Sequence, residues 1–138
     1  FAGFRNLLLR IRTDDDEIAI PVFDREAEVA RAAAGTIGRD TRIVLVEGNY
    51  LLLDDTPWNS LSEFFDVTVF IDVPRDELER RLLQRWREHG KSDADGRAWV
   101  ASNAMPNVDL VIAKRRPADI VICAGCAIMP YTCHRVPI

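Results

Sequence analysis

Apolar and polar positions along this chain alternate with changing periods, and the period marks the elements. Phe1, Phe4, Leu8 and Ile11 recur at three- and four-residue spacing, which predicts an amphipathic helix at the start. Thr13 and the run Asp14, Asp15, Asp16, Glu17 then read as a solvated turn. Ile18 to Phe23 is a short extended segment, and Pro21 inside it argues against a central strand. Asp24 is placed to cap a helix running to about Ala34, with Glu26 and Glu28 in its first turns and Gly35 past its end. Ile43-Val-Leu-Val46 is a continuous run rich in β-branched residues, the pattern of a strand buried on both faces. A second such run, Val67-Thr-Val-Phe-Ile71, ends in Asp72-Val73-Pro74.

The period then returns to helical. Leu78, Leu82, Leu83 and Trp86 share one face of a helix predicted from Arg75 to about His89, with Gly90 as its stop. Two further helices are expected at about 94–103 and 107–115, separated by Met105-Pro106, with Pro106 suited to a first helical turn. Asp119-Ile-Val-Ile122 closes the series as a short strand. Buried-type strands alternating with helices predict an α/β chain on a parallel sheet. Trp58, Trp86 and Trp99 each sit in apolar periodicity and are expected to pack in or beside the core.

Composition narrows the class. The chain has 138 residues, enough for one domain of ordinary size. Its 18 Lys and Arg against 22 Asp and Glu give a net charge of −4, which argues against binding nucleic acid or an anionic membrane in bulk. No apolar run approaches the roughly 18 residues of a membrane span, and no signal-peptide pattern opens the chain. A cytoplasmic protein is expected. The chain begins at Phe1 inside a helical pattern, so further sequence is expected upstream. All three cysteines, Cys123, Cys126 and Cys133, fall in residues 123–138, a stretch unlike the rest in composition. Cys123-x2-Cys126 with Cys133-His134 is not a standard zinc spacing, since adjacent ligands are hard to aim at one ion.

Three groups of residues are candidates for chemistry. Glu47-Gly48 closes the Ile43–Val46 run, and parallel α/β sheets place ligands beyond the carboxyl ends of their strands. A carboxylate there can hold Mg²⁺ directly or through water, orient a nucleophile, or only cap the next segment. Arg81 and Arg85, at i and i+4, project from one helix face and can fork onto phosphate oxygens, or else pair with Asp76, Glu77, Glu79 and Glu88 on a solvated surface. Asp24 and Arg25 set a carboxylate beside a guanidinium, suited to a polyol or anionic group, or to a helix cap with an ion pair. Gly90-Lys91-Ser92 imitates the end of a phosphate-binding loop, but that loop requires a glycine where Arg85 stands and a strand where there is a helix.

In order and spacing, Pro21-Val-Phe-Asp-Arg25, Val46-Glu-Gly-Asn-Tyr-Leu-Leu-Leu53 with Pro57-Trp58, Phe70-Ile-Asp-Val-Pro74, Arg81-Leu-Leu-Gln-Arg85 with His89-Gly90-Lys91, and Met105-Pro-Asn107 resemble one family. They are similar to the later part of the P-loop kinases related to uridine kinase, phosphoribulokinase and pantothenate kinase, within the branch called nucleoside/nucleotide kinase or fructokinase-like. The resemblance covers residues 1–122 and leaves 123–138 outside the family pattern. It implies a three-layer, parallel-sheet P-loop NTPase fold, incomplete here because the P-loop strand and a second strand are missing. It implies ATP and Mg²⁺ as cofactors, with Glu47 near the metal and the γ-phosphate, Arg81 and Arg85 as catalytic lid arginines, and Asp24, Arg25, Asn49 and Tyr50 around the acceptor. The expected partner is a small molecule with a hydroxyl group, a sugar, a nucleoside or a pantothenate-like alcohol; relatives are often homodimeric. In the family the P-loop strand lies between the Glu-Gly strand and the Phe-Ile-Asp strand, so its loss implies an unpaired edge, low stability and no turnover by residues 1–138 alone. Ala104 departs from the acidic residue common at that position. A non-catalytic relative that binds a phosphorylated metabolite or a protein is the alternative, and a nucleoside monophosphate kinase a third reading.

Overall fold

The computed structural model describes residues 1–13, 17–90 and 92–124. Of the acidic turn expected at 14–17, Glu17 instead opens a strand, while residues 14–16, Lys91, and the tail with Cys126, Cys133 and His134 lie outside the described residues. In chain order the elements are helix α1 (Ala2–Arg12), strands β1 (Glu17–Asp24) and β2 (Val29–Gly38), a 3-10 helix (Trp58–Phe64), strand β3 (Val69–Asp72), helices α2 (Arg75–Glu88) and α3 (Asp93–Trp99), a π-helical turn (Val100–Ala104), helix α4 (Met105–Lys114) and strand β4 (Ile120–Cys123).

The core forms where the first helical stripe meets the 3-10 helix. Leu8 is buried against Leu61 and Phe64, and Phe4, Ile11, Val46, Leu51, Trp58 and Phe65 close around them. Each such side chain contributes roughly 1.5–3 kcal/mol on full burial. The flanking ion pairs, Arg5 to Glu63 at 3.0 Å and Arg12 to Asp66 at 2.6 Å, are exposed and contribute less than about 1 kcal/mol each. Apolar burial therefore holds α1, and the ion pairs orient it.

Residues 24–34 are not the helix that the Asp24 cap and the alanine-rich run predict. β1 and β2 form an antiparallel hairpin, with Glu17 opposite Gly38 and Asp24 opposite Val29. Asp24 caps the turn instead: its Oδ1 accepts hydrogen bonds from the amides of Glu26 (3.1 Å) and Ala27 (3.0 Å). Gly35 is no helix stop. It lies across from Ile20, where an added Cβ would stand 3.1 Å from side-chain atoms of both Ile20 and Val22. The register shifts between Ile20 and Val22, so Pro21, which lacks an amide hydrogen, sits at the bulge. Ladder pairing overrides alanine's helix propensity.

β3 and β4 pair in parallel, from Val69 opposite Ile120 to Asp72 opposite Cys123, as an α/β fold requires. Asp119 locks the start of the pair: its carboxylate accepts from the Thr68 amide (2.7 Å) and hydroxyl (2.6 Å). These bonds hold the Asp119 carboxyl below the usual range for aspartate, the Thr68 side chain contributing most. Neither strand is buried on both faces, Val69 being 46% and Ile71 60% exposed. The expected strand at 43–46 does not form. Its residues adopt no regular secondary structure, with Ile43 and Leu45 86% and 92% exposed while Val46 reaches the core. An apolar run becomes a parallel strand only with neighbours for its backbone, and no described strand flanks this one.

α2 follows the predicted span, and Gly90 ends it at a positive φ of 72°. The two helices expected beyond it are joined without a break. The five-residue π-helical turn carries α3 into α4, and Pro106 occupies the first turn of α4. Trp86 stacks on Trp99 with centroids 4.7 Å apart; Trp86 is half-buried as the sequence suggests, whereas Trp99 forms the exposed side of the stack. Gly96 is needed beneath this pair, because a Cβ there would clash with Trp86 Cδ1.

Two outcomes follow. Gly96→Ala should separate α3 from α2 at a cost of about 1–3 kcal/mol, read as an earlier denaturation midpoint with altered tryptophan emission; an unchanged midpoint would show that the stack does not set this spacing. Because the folded-state pKa of Asp119 is depressed, its contribution is complete above the unfolded value near 3.9 and is lost as pH falls through the lower folded value. Asp119→Ala should therefore melt lower than the parent at pH 7, and the difference should shrink between about pH 5 and pH 2. A difference independent of pH would count against the carboxylate.

Candidate functional site

The Glu47–Tyr50 segment leaves the run 43–46 and turns towards the core through Leu51, whose Cγ lies 3.3 Å from where a Gly48 Cβ would be. Gly48 thus allows the close approach of Leu51. Glu47 and Asn49 are exposed, and neither makes a side-chain hydrogen bond among the described residues. Tyr50 is half-buried: its ring lies 5.4 Å from that of Trp58, and its hydroxyl donates to Asn107 Oδ1 at 2.7 Å. The segment is secured further along by the Asp54 amide donating to the Lys114 carbonyl (2.9 Å) and the Arg116 amide donating to the Leu52 carbonyl (2.8 Å).

Asp24 and Arg25 lie at the β1–β2 turn. Asp24 spends one oxygen on the turn amides, and its Oδ2 faces Arg31 at 3.6 Å, so its charged neighbour is Arg31 across the hairpin rather than Arg25. Arg25 is exposed. The hairpin packs on α1, whereas α2 packs on α3 and the π-helical turn.

On α2 the arginines differ. Glu77 accepts from Arg80 Nε (2.6 Å) and Nη2 (2.8 Å) and from Arg81 Nε (2.7 Å). Arg80 first, then Arg81, lower the Glu77 carboxyl to a pKa of about 2. Arg75 pairs with Asp109 (2.7 Å) and Arg87 with Asp93 (2.7 Å). Arg85 makes no side-chain hydrogen bond or ion pair among the described residues; its carbonyl accepts from the amide and Nδ1 of His89. The solvated-surface reading thus describes Arg75, Arg80, Arg81 and Arg87, while the Arg85 guanidinium stands free.

No hydrogen bond or ion pair among the described residues joins Glu47, Asp24, Arg81 and Arg85 to one another. No group of three His, Cys, Asp or Glu side chains able to hold a metal occurs among them either. One exposed carboxylate is a donor set that fits Mg²⁺ held chiefly by phosphate oxygens and water. Arg85 fits a phosphoryl oxygen. Two partners escaped the sequence reading. Asn107 belonged to the Met105-Pro-Asn107 motif, but its contact with Tyr50 spans 57 positions. Glu77 was named only as one possible ion-pair partner, although i,i+3 and i,i+4 spacing to Arg80 and Arg81 marked it.

No protein-family model matches the chain. It is 38% identical over 80 residues to the uncharacterised protein YggC of Escherichia coli, covering 58% of this chain and 34% of that protein. It is 25% identical over 126 residues to the ATP-dependent kinase-like protein notR' of Aspergillus versicolor, covering 87% and 73%. The chain therefore spans about a third of YggC and nearly three-quarters of notR'. Among solved structures it superposes with a TM-score of 0.81 and 35% identity on a candidate fructose transport system kinase from Silicibacter sp. TM1040, covering 87% of this chain and 58% of that one. YFH7 from Saccharomyces cerevisiae, a candidate P-loop kinase, shares the fold at a TM-score of 0.62 and 24% identity, covering 78% and 35%. These likenesses, with the parallel β3–β4 pair and the ordered motifs around it, show that the chain is similar to part of several P-loop kinases and shares their α/β fold.

Proposed function

We propose that residues 1–122 are the acceptor and lid portion of an ATP-dependent small-molecule kinase, with residues 123–138 outside that unit. The observation that carries this reading is the contrast on α2, where among the described residues Arg85 alone of the helix's arginines has no side-chain partner and is exposed. The kinase names of relatives matched over much of this chain support the same class.

ATP with Mg²⁺ supplies the γ-phosphoryl group when bound. The chain's own residues divide the remaining work. Arg85 donates to phosphoryl oxygens where charge develops, and Arg81 joins it on leaving Glu77. Glu47 offers its carboxylate to the metal, directly or through water. Asp24 and Arg25 at the hairpin turn, with Asn49 and Tyr50, orient the acceptor so that its hydroxyl lies in line with the transferred group. The acceptor is a small polyol or alcohol: a sugar, a nucleoside or a pantothenate-like compound.

The test is transfer of labelled γ-phosphate from ATP to fructose, uridine and pantothenate, by residues 1–138 and by a chain extended upstream along its own gene. The extended chain should phosphorylate one of the three, and residues 1–138 alone none, because these residues hold no Gly-x-x-x-x-Gly-Lys-Ser/Thr cradle. In the extended chain Arg85→Ala should lower kcat about 10²–10³-fold, in line with the loss of one preorganised donor to a developing anion. Asp24→Asn should chiefly raise the acceptor KM. An extended chain that binds phosphorylated metabolites but transfers nothing would replace this reading with the non-catalytic one. Turnover by residues 1–138 alone would overturn the division of labour.

A further inference from the structure

Tyr50 is held by its own turn, where its carbonyl accepts from the Leu53 amide at 3.1 Å, and from outside it by a side-chain amide of α4. Its hydroxyl donates to Asn107 Oδ1 at 2.7 Å, and Asn107 Nδ2 donates in turn to the Asn103 carbonyl at 2.8 Å. Asn107 therefore has both ends of its amide occupied, which fixes the ring-free rotamer and which end faces Tyr50. Asn103 lies in the π-helical turn, and its Nδ2 reaches back to the Trp99 carbonyl at 3.4 Å. Trp99 is the outer member of the stack with Trp86, one residue beyond Arg85. These side-chain bonds end on backbone carbonyls of the π-helical turn and of Trp99, so the turn's main chain links the Tyr50 contact to the Trp86–Trp99 stack beside Arg85. π-Helical turns recur at functional sites because the extra residue re-aims the side chains around it.

We infer that Asn107 is a positioning residue for the candidate site: through Tyr50 it holds the Glu47–Tyr50 turn at a fixed place relative to the first turn of α4. This rests on the reading of that turn as part of the site, and it adds a residue from a helix that carries none of the proposed roles. The rest of α4 holds the same segment by other means. Its last residue and the chain just beyond it are bonded to residues 52–55 through the Lys114 carbonyl, the Arg116 amide and the Lys114–Asp55 ion pair at 2.7 Å. Asn107 acts alone on the near end, so the two ends are separable by substitution.

The experiment is ¹⁵N relaxation of the full 138-residue chain, with Asn107→Ala, Tyr50→Phe and Asn107→Asp beside the parent. In the parent, amides 47–51 should have order parameters near the rigid value of about 0.85. Asn107→Ala and Tyr50→Phe should drop those of 47–50 below about 0.6 while Asp54 and Arg116 stay rigid. Tyr50→Phe keeps the ring on Trp58 and removes one bond, so it guards against a fold lost outright. Asn107→Asp retains an oxygen acceptor for the Tyr50 hydroxyl but loses the donor to the Asn103 carbonyl, so its order parameters should fall between those of the parent and of Asn107→Ala. Three results would overturn the inference: mobility of 47–50 in the parent, no change in either single variant, or loosening that spreads equally to residues 52–55 and 114–116. The measurement uses neither nucleotide nor acceptor. A failed phosphoryl-transfer assay would sink the kinase reading and leave this outcome unaltered.

Discussion

The clamp that α4 and the residues after it place on positions 50–55 is the constraint on which the rest depends. Leu52 and Leu53 are buried at 9% and 5% exposure, Leu53 bridges to Arg115, and backbone bonds join Asp54 to Lys114 and Arg116 to Leu52. The two leucines contribute roughly 1.5–3 kcal/mol each if fully buried, against about 1 kcal/mol for each hydrogen bond and less for the exposed Lys114–Asp55 pair. Burial supplies the adhesion and the directional bonds supply the register. Once the clamp is set, Leu51 and Trp58 meet the α1 core on one side. On the other, the chain leaving Arg116 and Pro117 enters β4 beside β3.

The legible parts of this fold were those whose signals are local. α1, α2 and their stops follow from spacing that any window of a dozen residues displays, and β3 and β4 follow from short β-branched runs ending at Pro74 and beginning after Pro117. The β1–β2 hairpin was not legible for a physical reason. Asp24 bonds two following amides in a turn much as it would at a helix start, and the run 30–34 is mostly alanine, the residue most favourable to helix. Only the ladder to β1 distinguishes the outcomes, and ladder energy is non-local. Pro21 against a bulge and Gly35 against two branched side chains were the available hints. The run 43–46 shows the converse: its composition declared a strand, but strand formation belongs to the neighbours as much as to the residues.

The candidate site was legible by type and not by arrangement. Glu47, Arg81, Arg85 and Asp24 stand out as charged groups at the ends of elements or on one helix face, and the structure leaves Glu47 and Arg85 exposed. What the sequence hid was which of these groups are already engaged. Asp24 is occupied by its own turn and by Arg31, and Arg81 by Glu77. Spacing lists every permitted partner of an arginine, and geometry selects one.

That selection bears on how α2 can work. A guanidinium already paired with a carboxylate meets an incoming phosphate only by exchanging one anion for another, so the net gain is the difference between two similar interactions. Glu77, held to a pKa of about 2, stays ionised throughout the neutral range and keeps Arg80 and Arg81 engaged. Arg85 faces no such exchange, and a phosphoryl oxygen meeting it displaces water alone. The side chain that reacts first to an anion is therefore Arg85, and Arg81 follows only when the local negative charge exceeds what one carboxylate offers. A dianionic or more highly charged phosphate chain meets that condition and a single carboxylate ligand does not. Under the proposed function, the Glu77 pairing would therefore favour a polyphosphate over a single carboxylate at this helix, by the same electrostatics that would otherwise make an arginine-rich face indiscriminate.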